Sequence, residues 1–173
     1  MNASEKVNFI SNWIKNYADT MPKKAQSLVI GISGGIDSSV SSTLSAKTGL
    51  KTIVLTMPIK QKSSQHDLSL KHRDWLLKKF PNVEAHTINL DELFNVFSSS
   101  LSNFSNEHGF ANSRARLRMT TLYQVAAANP CSLLKFDNED EKTLNNSSKL
   151  IVWASTFENF FKSQSLCFKL KSC

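Results

Sequence analysis

The sequence predicts an α/β protein, a doubly wound parallel sheet with flanking helices, and three observations carry that reading. Short apolar or β-branched runs alternate with longer segments of helical period from Val7 to Leu101. That order, strand, helix, strand, helix, strand, is what right-handed crossovers turn into a parallel sheet. The first two runs, Ser27 to Ile32 and Lys51 to Met57, are nearly continuous in apolar and β-branched residues, as strands covered on both faces are. The chain has 173 residues, 40% hydrophobic and 20% charged, enough for one ordinary core and too few for two large domains.

Val7, Ile10, Ile14 and Tyr17 recur at helical spacing with Trp13 beside them, and Asn2 or Ser4 can cap a helix that ends near Asp19 to Pro22. A buried strand follows over Ser27 to Ile32, stopped by glycines. Ser38 to Lys47 reads as a small-residue helix closed by Gly49. Lys51 to Met57 is the second strand, ended by Pro58, and residues 59–66 read as a polar loop. His66 to Phe80 is expected to be a helix lined on one side by Leu68, Trp75, Leu76 and Phe80, broken by Pro81-Asn82. Val83 to Leu90 reads as a third strand, and Asp91 to Leu101 as a helix with Leu93, Phe94, Phe97 and Leu101 apolar. After a polar connector, Asn103 to Gly109, a helix over Ala111 to Ala128 carries an apolar stripe of Ala115, Met119, Leu122 and Ala126. Arg116, Thr120 and Tyr123 form a polar stripe beside it.

No apolar run approaches the roughly 20 residues that span a bilayer, and Met1 to Lys6 leads into an amphipathic segment and not an apolar signal core, so secretion is not expected. No membrane association is expected. The cysteines, Cys131, Cys167 and Cys173, are odd in number and lack metal-ligand spacing, so a reducing, cytoplasmic setting is expected. The four histidines, His66, His72, His86 and His108, share no ligand spacing either. The net charge of +7 fits a solvated basic surface or an anionic partner, a nucleotide or a nucleic acid.

The sharpest signal is Gly31-Ile32-Ser33-Gly34-Gly35-Ile36-Asp37-Ser38-Ser39, after a strand and opening a helix. Phosphates need several backbone N–H groups at one place, and glycine removes the side chain that would block their approach. The helix start adds open N–H groups and the positive end of its dipole. Ser33 and Ser38 can donate hydroxyl bonds. Asp37, an anion beside anions, makes chemical sense as a ligand for Mg²⁺, a hard cation shared with phosphate oxygens. No lysine follows the glycines, so this is not the usual NTPase phosphate loop.

Ser33 to Ser38 resembles the pyrophosphate loop of the N-type ATP pyrophosphatases. Ala111 to Tyr123, with Arg114, Arg116 and Arg118, resembles the helix of ammonia-dependent NAD synthetases that binds deamido-NAD. Met57-Pro58-Ile59 and the spacing between the two segments also fit. The resemblance implies an adenine nucleotide alpha hydrolase-like fold, and a ligase that amidates deamido-NAD with ammonia, giving NAD, AMP and pyrophosphate through an adenylated intermediate. By the same resemblance, Gly31, Ile32, Ser33, Gly34, Gly35, Ile36, Asp37 and Ser38 bind ATP, Met57 lies near its adenine, Asp37 holds Mg²⁺ and Arg116 contacts deamido-NAD. No residue stands out as a covalent nucleophile, and a homodimer without nucleic acid is implied.

The resemblance covers residues 1–129. Residues 130–173 contain no glycine and five of the eleven phenylalanines, with an acidic cluster at Asp137 to Lys142. They are expected to be a divergent tail in place of the family's glycine-rich turns, leaving the fold incomplete on its C-terminal side and catalysis impaired. Two rivals stand beside this reading: a tRNA-modifying pyrophosphatase, suggested by the basic charge, and an inactive remnant that binds nucleotide or dimerises.

Overall fold

Val29 and its partner Ile53 lie at the centre of a parallel sheet with strand order β3-β2-β1-β4. The computed structural model describes residues 1–21, 24–60, 63–129 and 151–152. The strands are β1 (Ser27–Ile32), β2 (Lys51–Thr56), β3 (Val83–Thr87) and the short β4 (Ile151–Val152), all paired in parallel. The helices are α1 (Ala3–Thr20), α2 (Ile36–Lys47), α3 (Ser63–Lys79), α4 (Asp91–Ser100) and α5 (Glu107–Ala128), with a 3₁₀ turn at Ser102–Phe104.

The sheet is covered on both sides, and the strand pleat decides which residues face which layer. Successive side chains on a strand alternate between faces. Leu28, Ile30 and Ile32 of β1 and Val54 of β2 join Ile14 of α1, Leu44 and Ala46 of α2 and Leu76 of α3 in one cluster. Val29 of β1 with Ile53 and Leu55 of β2 join Phe94 of α4 and Leu122 and Ala126 of α5 in the other. Helices α1–α3 therefore lie on one face, and α4 and α5 on the opposite one.

Local signals set the ends. Asn2 accepts from the Glu5 amide while the Glu5 carboxylate accepts from the Asn2 amide, a complete capping box for α1. Gly49, at φ +78°, closes α2 one residue beyond its Thr48 cap.

Several boundaries differ from the sequence expectation. α2 opens at Ile36, two residues early, because Gly35 serves as its N-cap. α3 begins at Ser63, inside the expected loop. β3 stops at Thr87, although Ile88 and Leu90 still donate amides to the carbonyls of Thr56 and Pro58. α5 begins at Glu107 because the Asn106 side chain accepts the Gly109 amide, which turns the last three residues of the expected connector into α-helix. Leu68, Trp75 and Leu93, expected on apolar faces, are 54%, 45% and 51% exposed. Leu76 and Phe94 take the core positions in their helices. Among the described residues, no helix is long and apolar enough to cross a membrane. The acidic cluster at 137–142, the three cysteines and the tail apart from β4 lie outside the described residues.

The strand order reverses at β1, which has β2 on one side and β4 on the other. In open α/β sheets, ligands bind outside the carboxyl ends of the strands at such a reversal. The glycine turn leaves the sheet there.

Candidate functional site

The turn after β1 is held by one buried hydroxyl. Ser38 is 2% exposed, and its Oγ accepts from the Ser33 amide at 3.2 Å and lies 3.1 Å from Ser33 Oγ. It donates to the Gly35 carbonyl at 2.9 Å. The Gly35 amide points to Ser33 Oγ at 3.3 Å. The hydroxyl of Ser38 is thus used inside the turn, as are the amides of Ser33 and Gly35. Gly34 sits at φ +86°, a conformation that favours glycine. Gly35 does not need that freedom: its φ is −83°, and an added Cβ would meet Ser33 Oγ at an ordinary 3.5 Å.

What the turn presents outward is the start of α2. The first amides of a helix have no acceptor within it, and the earliest bond here is Ser39 N–H to Gly35 O at 3.2 Å. The amides of Ile36, Asp37 and Ser38 are left, and no side chain caps them. These N–H groups and the helix dipole make a seat for an anion. Asp37 lies exposed in that first turn, its carboxylate without a hydrogen-bond or ion-pair partner among the described residues. Ile36 is 75% exposed beside it, and Ile32 is packed in the core beneath.

A second group gathers where β2 ends. Met57 is 5% exposed, so its side chain belongs to the core. Its carbonyl accepts from Arg118 Nε at 2.9 Å. Burial is the main cause that lowers the Arg118 pKa, with Arg114 nearby adding to it and Asp91 opposing it. Arg114 lies over the Phe94 ring, 5.4 Å from its centroid, and Lys60 Nζ lies 5.6 Å from the same centroid. Lys60, at φ 45°, donates its amide to Asp91 Oδ1. Two cations therefore lie over one aromatic ring, with Arg118 and the Asp91 carboxylate nearby, a net positive patch beside the end of β2.

Arg116 is placed elsewhere. It is exposed, and its guanidinium has no hydrogen-bond or ion-pair partner among the described residues. The arginine missed as an anchor was Arg118, and a signal for it existed. Arg118, Leu122 and Ala126 follow one another at i, i+4 and i+8, so Arg118 shares the sheet-facing line of α5.

The comparison with known proteins decides the family. The NAD synthase family model matches residues 6–149. The chain belongs to the NAD synthase family. It is 37% identical over 146 residues to an NH(3)-dependent NAD(+) synthetase of Mesoplasma florum, covering 82% of this chain and 57% of that one. The solved structure of NMN synthetase from Francisella tularensis superposes with a TM-score of 0.65 at 32% identity, over 74% of this chain and 51% of that one. The NH3-dependent NAD synthetase of Campylobacter jejuni, solved with a nitrate ion, gives 0.63 at 25% identity, over 74% and 53%. The chain spans about half the length of the relatives it matches. The shared part contains the whole glycine turn and all of α5.

Proposed function

We propose that the chain carries the ATP-binding half of an ammonia-dependent NAD synthetase. In this reading the nicotinate carboxylate of deamido-NAD attacks the α-phosphorus of ATP, forming an adenylate and releasing pyrophosphate. Ammonia then displaces AMP and leaves the amide of NAD. The supporting observation is the turn itself: three uncapped amides and an unpartnered carboxylate at the carboxyl end of β1, in a member of the NAD synthase family.

Each residue has a stated task. The amides of Ile36, Asp37 and Ser38 receive the β- and γ-phosphate oxygens, where charge grows as pyrophosphate departs. Ser38 Oγ, Ser33 and Gly34 hold the turn in shape. Gly31 and Ile32 end the strand beneath it, and Gly35 lets the nucleotide approach the backbone. The adenine meets the end of β2 near Met57. The Asp37 carboxylate is a suitable oxygen ligand for Mg²⁺, which when bound neutralises charge on the departing pyrophosphate. Among the described residues, no group of three His, Cys, Asp or Glu gathers to form a protein-only metal cage. Arg116, exposed and unpaired, contacts the anionic deamido-NAD. A homodimer in the cytoplasm completes the reading.

A second substrate has an observation in its favour, the likeness to NMN synthetase. In that case the amidated nucleotide is the mononucleotide, and the chemistry at the turn is unchanged.

The test is nucleotide binding followed by turnover. Calorimetry with ATP–Mg²⁺ should show binding that Asp37→Ala weakens at least tenfold. Adding ammonia with deamido-NAD or its mononucleotide counterpart should then release AMP, and the faster substrate assigns the specificity. Unchanged ATP–Mg²⁺ binding in Asp37→Ala would remove that residue from its role. Preferential, salt-sensitive binding of tRNA would favour an RNA-modifying enzyme instead.

A further inference from the structure

His72 of α3 reaches across to α2 directly behind the phosphate turn. Its Nε2 lies 2.8 Å from Ser42 Oγ. Ser42 is fully buried, and its hydroxyl also lies 2.7 Å from the Ser38 carbonyl and 3.1 Å from the Ser39 carbonyl. A hydroxyl has one hydrogen, and carbonyls only accept. With that hydrogen placed on the carbonyls, the imidazole is the donor, and the neutral ring then carries its proton on Nε2.

The surroundings keep it neutral. The ring stacks on Trp75 at 5.6 Å between centroids and 22° between planes. With Val7 of α1 and Ser39, Val40, Thr43 and Leu44 of α2 it lines a cleft of about 350 Å³. None of these neighbours is charged or titrates near neutrality. Burial pushes the imidazole pKa below its ordinary value, against a weaker opposing effect of the Ser39 carbonyl.

We infer that His72 is a positioning residue for the phosphate turn. Its Nε2–H braces Ser42, and Ser42 braces the carbonyls of Ser38 and Ser39. Ser38 is also the residue whose hydroxyl ties Ser33 to Gly35. A shift in this first turn of α2 would move the three open amides and loosen the turn together. The inference rests on the reading of Ser33 to Ser38 as a triphosphate seat, and it adds a support that reaches the seat from a different helix.

Three substitutions test it. His72→Leu removes the donor and keeps most of the volume. His72→Gln returns an N–H donor to nearly the Nε2 position. Ser42→Ala removes the acceptor. The first readout is hydrogen exchange of the amides of residues 39–42 in the protein without nucleotide, compared with amides of α4 and α5. The second is ATP–Mg²⁺ affinity by calorimetry, beside affinity for deamido-NAD. In His72→Leu, exchange in the first turns of α2 should rise about tenfold, the scale of one lost buried hydrogen bond. The ATP–Mg²⁺ Kd should rise by a similar factor while deamido-NAD binding holds. His72→Gln should bring both within about threefold of the parent, since the donor is restored. Ser42→Ala should match the leucine variant, and the double variant should be no worse than either single one. Parental exchange in His72→Leu and Ser42→Ala, or a glutamine variant that rescues neither readout, overturns the inference. If even the parent fails to bind ATP–Mg²⁺, the reading of the turn fails, and the exchange data alone decide the role of His72.

Discussion

Gly34 and Gly35 are adjacent and chemically identical, yet the turn asks different things of them. Gly34 adopts φ +86°, which an L side chain reaches at a cost of about 1–2 kcal/mol. Gly35 has ordinary φ and ordinary room, and serves as N-cap of α2. Gly34→Ala should therefore lower the unfolding free energy by about 1–2 kcal/mol in a urea titration. Gly35→Ala should cost about 0.5 kcal/mol, the modest penalty of an alanine cap. Its larger effect should be on ATP–Mg²⁺ binding, because a methyl group would project where phosphate approaches. Equal stability losses would show that backbone conformation does not select glycine at position 34. That a turn lies here was legible from two glycines between an apolar strand and a helix. Which glycine takes the positive φ was not, because it depends on where Ser38 Oγ ties the loop.

At the scale of the element, α5 shows how a stripe misleads when only apolar residues are counted. The sequence pointed to Ala115, Met119, Leu122 and Ala126, but only Leu122 and Ala126 of these are fully buried, and Leu117 and Val125 flank them against the core. The line continues N-terminally through Arg118, which covers apolar surface with its stem and gives Nε to the Met57 carbonyl. The same logic separates the arginines. Arg118→Ala removes a half-buried stem and a charge-assisted hydrogen bond, and should destabilise by about 1.5–3 kcal/mol in chemical denaturation. Arg116→Ala removes no hydrogen bond or ion pair among the described residues, and should stay within about 0.5 kcal/mol. If Arg116 holds the anionic substrate, its loss should appear as weaker deamido-NAD binding at unchanged stability. A stability loss at Arg116 that matches Arg118 would mean that α5 is turned differently against the sheet. The early start of α5 has a comparable cause: Asn106 is a good cap, and the apolar period that predicts a helix does not register it.

At the scale of the molecule, the order of strands and helices and the burial of β1 and β2 on both faces were legible because apolar runs and glycine stops encode them directly. The contact between α3 and α2 was not. His72 reads as one of four unrelated histidines until folding puts it against Ser42, thirty residues away. The burial of His72 in that packing gives the whole fold a pH dependence of defined sign. Burial lowers the His72 pKa in the native state, so below the unfolded value of about 6.5 the unfolded chain binds the extra proton first. Protonation then favours unfolding, and stability falls as pH drops from about 6.5 through the lower native pKa. The effect should be small, because the ring is only half-buried. Glu84 acts in a lower window. Hydrogen bonds from Lys51 and His86 lower its pKa, so its contribution is present above the ordinary carboxylate value and fades as pH falls through the native one. That group lies on the surface and contributes little. Urea unfolding at pH 7.0, 6.0 and 5.0 should therefore show a decline in the parent that is shallower in His72→Gln, which keeps the donor and cannot titrate. Identical slopes would place the decline on other groups and leave His72 native and unfolded pKa values equal.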